Sequence, residues 1–166
     1  MKKVQSLFPE LAKIVQEEGW ETASQATAHD FIHDRIVEGY CYLIAPNAAF
    51  GGYAAAAALC HSTDRRYPTE NDTELANRIR DYLSRGTSLS PIEKAEVIDI
   101  VLHHHMPNHP VDNDMLITLK DADRLANLGL LAVIRCGQHY HSLPTFNPRF
   151  VKSPDPGASY KRPKAV

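Results

Sequence analysis

Several features are scarce in this 166-residue sequence, and each scarcity excludes something. Its 18 basic and 20 acidic side chains leave a formal net charge of −2. So small an imbalance argues against an extended electrostatic surface for nucleic acid or for an anionic membrane. No window approaches the roughly 20 consecutive apolar residues that a membrane span requires. The stretch from Met1 to Glu10 has two lysines but no continuous apolar run, which is not the pattern of a secretory leader. Cysteine is limited to Cys41, Cys60 and Cys136, odd in number, widely spaced and set among apolar neighbours. That spacing suits buried thiols in a reducing compartment better than a disulfide framework or a zinc knuckle, so a cytoplasmic location is expected. Period-two alternation is also missing, which predicts no sheet. Neither an internal repeat nor a dividing linker is present.

Helical periodicity and helix-end signals are what the chain has instead. Leu7, Leu11, Ile14 and Val15 recur at helical spacing behind Ser6 as a cap, with Gly19 closing that helix. Thr27 with Asp30 forms a capping box for a second helix, whose apolar face is read as Ile32, Ile36, Tyr40 and Leu43, stopping before Pro46. The alanine run Ala54–Ala58 predicts a third helix reaching Cys60, thin enough to occupy the middle of a bundle. Asp72 is read as the cap of a fourth, with Leu75, Ile79 and Leu83 on one face and Gly86 just beyond it. Ser90, Pro91 and Glu93 open a fifth, which continues through Val97, Ile98, Val101 and Leu102 and ends near Pro107. A sixth is expected from Asn113 or Asp114 to about Cys136, bending at Gly129. The fold class is therefore all-α, a bundle of about six helices forming one domain over residues 1–143. Residues 144–166 hold five of the eleven prolines and read as an extended tail, with Phe146, Phe150 and Tyr160 to dock it. The alanine helix and the aromatic tail are also compatible with a homodimer.

Nine histidines stand out, four of them in the window His103–His109. Singly, each has an ordinary explanation: a lone histidine is more often a hydrogen-bonded or surface residue than a ligand, and a helical aspartate is usually solvated. The order along the chain is more informative. His33 falls on the second helix, His61 at the end of the third, His104 at the end of the fifth and Asp123 within the sixth. A metal site in a bundle is built from imidazoles and carboxylates projecting inward from different helices. Such mixed ligation suits manganese, iron, nickel or magnesium, with zinc the remaining candidate.

The motifs in this order resemble those of the HD superfamily of metal-dependent phosphohydrolases. His29-Asp30-Phe31-Ile32-His33 followed by Ile36-Val37 is similar to the first motif, and Ala56-Ala57-Ala58-Leu59-Cys60-His61 to the helix leading into its His-Asp pair. Val97, Ile100, Val101 and His104 are similar to the later helix that ends in histidine. Asp121-Ala122-Asp123-Arg124-Leu125, followed by Leu128-Gly129, is similar to the last motif. The resemblance implies a divalent metal held by His33, His61 and Asp123, and a small phosphorylated substrate such as a nucleotide, hydrolysed by metal-activated water. It places His104 in the pocket, either binding a second metal or the phosphate, or in a catalytic role that orients the leaving group or gives it a proton. Asp64 is read as the group able to compensate a loss at position 62, and Arg65, Lys120 and Arg124 as candidates for binding phosphate oxygens. The chain departs from the pattern at Ser62, where the family has the aspartate of the pair, and at Ile36, where it has an arginine. The competing reading is a non-catalytic HD-like protein that binds a nucleotide or partner. A structural or pH-responsive histidine cluster leaves the Asp121–Leu125 string unexplained.

Overall fold

Alanine combines the highest helix propensity with almost no bulk, so a run of it can serve as the axis around which bulkier helices close. The computed structural model, which describes residues 5–22 and 31–128, uses the run in that way. Helix α3 spans Ala48–Cys60 and begins earlier than the alanine run because Asn47 caps it, accepting a hydrogen bond from the Phe50 amide at 3.0 Å. Every residue from Ala54 to Cys60 is fully buried. Around it pack α1 (Pro9–Thr22), α2 (Phe31–Ile44), α6 (Pro91–His103) and α7 (Asp114–Ala126). A single turn, α4 (Thr63–Arg66), leads from α3 to α5 (Asp72–Gly86), which lies against α1 and α6. The described residues contain no strand, and none of their helices is long and apolar enough to cross a membrane.

Local chemistry explains the boundaries. Ser90 accepts from the Glu93 amide while the Glu93 carboxylate accepts from the Ser90 amide, with Pro91 at the first helical position. The cap of α5 is Asn71 rather than Asp72, because Asn71 Oδ1 accepts from the amides of Thr73 and Glu74 at 3.0 and 3.1 Å. Leu75, Ile79 and Leu83 face the core as the spacing indicated. Helix α1 continues through Gly19, and Ser6 is not its cap: the Ser6 hydroxyl accepts from the Phe8 amide and donates to buried Glu38 at 2.6 Å. Helix α7 stops at Ala126, where the Asn127 amide turns back onto the carbonyls of Asp123 and Arg124; the expected stretch to about Cys136 lies outside the described residues. The Thr27–Asp30 capping box, the bend at Gly129 and the proline-rich tail lie outside the described residues.

The largest correction concerns α2. Ile32 and Leu43, read as part of its apolar face, are 62% and 75% exposed. The buried face carries His33, Asp34, Val37, Glu38 and Cys41, while Ile36 and Tyr40 pack at its margin. Polar groups at the core face mean that their hydrogen bonds must be made internally.

Candidate metal centre

The ends of α3 and α6 share one device. The last carbonyls of a helix lack an intrahelical partner. At α3, His61 Nδ1–H donates to the Ala58 carbonyl at 2.6 Å; at α6, His104 Nδ1–H donates to the Val101 carbonyl at 2.6 Å. Each bond satisfies an orphan carbonyl, fixes the tautomer and leaves Nε2 as the ring's lone-pair donor. The two rings then sit edge to face, 5.3 Å apart.

His33 from α2 and Asp123 from α7 complete the cluster. His33 Nε2 lies 3.1 Å from His61 Nε2 and 3.0 Å from Asp123 Oδ1, and His61 Nε2 is 3.9 Å from the same oxygen. The donor atoms of all three residues fall within 4.8 Å of one another. Three lone-pair donors approach this closely only around a shared proton or cation. Two of the three separations, 3.0 and 3.1 Å, match either hydrogen bonds or the spacing of about 3.0 Å that metal–ligand bonds of about 2.1 Å meeting at about 90° would set, whereas the 3.9 Å one would need a wider angle. Burial opposes the charge on Asp123, but the hydrogen bond with His33 and electrostatic interaction with the surrounding imidazole rings outweigh it, holding the carboxyl well below the usual range. For His104, burial first and the neighbouring His61 second lower the imidazole to about 4. It is therefore neutral at pH 7, with a lone pair available.

Beside the cluster is a pocket of about 170 Å³, lined on its polar side by His61, Asp64, Asp72, His104 and His105. Leu75, Ile79 and Val101 add apolar wall. The two carboxylates in this lining would repel an anionic ligand unless a cation intervened. Asp64 Oδ1 is buried there without a hydrogen-bond partner, while its other oxygen is 3.6 Å from Arg65 Nε.

The remaining residues singled out by the sequence divide clearly. Asp121 is about half exposed and pairs with Arg124 at 2.8 Å, so Asp123 alone of that motif faces the cluster. Arg124 also donates to Asn108 at 2.6 Å, and Arg65 is 55% exposed at the surface. Lys120 is buried, its ammonium held by Asp112 at 2.7 Å and by the Pro107 carbonyl at 3.2 Å. Those bonds tie the loop between α6 and α7 and leave it no part in the cluster. His103 turns to the surface, bonded to the Asp99 carbonyl, whereas His105 lies 5.8 Å from the His104 ring. His29 lies outside the described residues.

Sequence reasoning missed Asp34 and Arg66. Asp34, fully buried on α2, accepts from the Ser62 hydroxyl at 2.6 Å and pairs with Arg66. One signal was available: His33 is followed directly by Asp34, so a His-Asp pair exists in the chain, but on α2. No protein-family model matches the chain, and neither a curated protein nor a solved structure matches it.

Proposed function

We propose that this protein is a metal-dependent phosphohydrolase of the HD type, acting on a nucleotide or another small phosphate ester. The observation carrying this reading is the convergence of His33, His61 and Asp123 from three helices at one edge of a histidine-lined pocket. These residues would hold a divalent cation, and mixed nitrogen and oxygen donors suit manganese, iron or nickel, with magnesium and zinc also accessible. When bound, the cation supplies Lewis acidity toward a phosphoryl oxygen and lowers the pKa of water. The protein's own groups do the rest. His104, neutral and fixed by its bond to Val101, is placed to hydrogen-bond a phosphoryl or leaving-group oxygen. Asp64 offers a buried, unpartnered oxygen to a proton or a water in the pocket. Arg65 lies next to it in sequence with an exposed guanidinium able to meet phosphate oxygens.

The test is hydrolysis of p-nitrophenyl phosphate and of nucleoside monophosphates with added Mn²⁺, comparing the parent with His61→Ala. Loss of at least a hundredfold in activity, with the helical signal preserved, is expected. Equal activity in the variant would sink the proposal. Ser62 favours one second reading, because it puts a neutral hydroxyl where the resembled family has a carboxylate: an HD-like protein that holds a nucleotide without cleaving it. Saturable nucleotide binding with no turnover on any phosphate ester would select that reading.

A further inference from the structure

Ser62 Oγ lies 3.4 Å from His61 Nε2, at the rim of the donor cluster, and gives its hydrogen to Asp34 Oδ1 at 2.6 Å. With the proton directed toward Asp34, the oxygen keeps its lone pairs for the cluster side. The same Asp34 oxygen is 3.6 Å from His61 Nδ1, so one buried carboxylate borders both neighbouring groups. Arg66 occupies its second oxygen and balances its charge in a place where an isolated anion would be strongly disfavoured. A neutral hydroxyl is a weak donor to a hard cation, but one hydrogen-bonded to a carboxylate is polarised toward alkoxide character.

We infer that Ser62 and Asp34 together stand in for a carboxylate after His61, Asp34 acting as a positioning residue that makes Ser62 Oγ a fourth donor beside His33, His61 and Asp123. The charge that a residue at position 62 would bring is delivered from α2, one position after His33. Helix α2 and the turn after α3 thus share the task, and the neutral residue at 62 is compatible with a working centre. The inference rests on the metal-dependent reading above.

The experiment is calorimetric titration of Mn²⁺ into the full-length chain after chelator treatment, for the parent, Ser62→Ala, Asp34→Asn and the exchange Asp34→Ser with Ser62→Asp. Ser62→Ala preserves the Asp34–Arg66 pair, so it remains informative if Asp34→Asn does not fold; circular dichroism checks each protein. The parent is expected to bind Mn²⁺. Asp34→Asn should bind about 10–100-fold more weakly, the usual cost of losing an outer-shell partner, Ser62→Ala, which removes the donor itself, at least as much, and the exchange should recover most of the affinity. Single variants as tight as the parent would overturn the inference and leave the metal-dependent reading standing. Weak single variants with no recovery in the exchange would also overturn it, reducing Asp34 to a packing role. A parent that takes up neither Mn²⁺ nor Zn²⁺ would overturn both.

Discussion

Replacing Gly86 with alanine adds one methyl group at the point where the end of α5 meets α1. A Cβ there would stand 2.5 Å from Leu11 Cα, 2.7 Å from its nitrogen and 2.8 Å from its Cβ. Carbon atoms in contact prefer about 3.5–4.0 Å, and two of these three neighbours are backbone, so α1 and α5 must part by about 1 Å. Overpacking of this kind costs about 1–3 kcal/mol. Alanine recovers about 0.5–1 kcal/mol of helix propensity, leaving a net loss of about 1–2 kcal/mol. For a chain of this size the melting temperature should fall by about 2–8 °C. Gly39 and Gly52 are internal controls: each is helical, and a Cβ at either meets nothing within 4 Å. Gly39→Ala and Gly52→Ala should therefore stabilise by about 0.5–1 kcal/mol through propensity alone. Urea unfolding followed by far-UV circular dichroism measures all three. A Gly86→Ala variant as stable as the two controls would refute the close approach of α1 and α5.

Other expectations follow from buried polar groups. Burial raises the Glu38 carboxyl above its ordinary value of 4.5, despite hydrogen bonds from Ser6, Leu7 and Arg35 and the Arg35 charge. The folded chain therefore holds that proton more tightly than the unfolded one. This contribution is fully present below pH 4.5 and is lost as pH rises through the raised value. Relative to Glu38→Gln, the parent should lose stability across that window and then level off; parallel pH profiles would contradict this. Lys120→Met leaves Asp112 without its cation and the Pro107 carbonyl without its donor and should lower stability, yet leave metal stoichiometry unchanged. A simultaneous loss of metal would place Lys120 in the site. Burial pushes the Cys60 thiol up to about 12, and burial with the nearby Glu38 and Asp123 charges raises Cys41 as well. Peptide mapping after iodoacetamide treatment of the native protein should find both unmodified, and rapid labelling of either would contradict its burial.

Where sequence and structure agree, the deciding physics is local. The Ser90-Pro91-Glu93 start needs only neighbouring residues, and the alanine run specifies a thin, central helix by its composition. His33, His61 and Asp123 were legible because their order matched a motif series, which carries three-dimensional information that periodicity does not. Helix α2 was misread for the complementary reason. Periodicity finds apolar stripes, and the inward stripe of α2 holds His33, Asp34 and Glu38 among its buried residues. Their burial is supported by partners on other segments: Asp123 for His33, Ser62 and Arg66 for Asp34, Ser6 and Leu7 for Glu38. Such pairings at long sequence separation leave no trace in any local window. Lys120 illustrates the same point, since a helical lysine near an aspartate-rich motif looks available until Asp112 is brought against it.

The most direct test of a metal centre at His33, His61 and Asp123 is elemental analysis of the tag-free chain, purified without chelators or added metal, alongside His61→Ala. The account predicts close to one manganese, iron, nickel or zinc atom per chain, absent from the variant. A parent that arrives empty and takes up no added metal would contradict it.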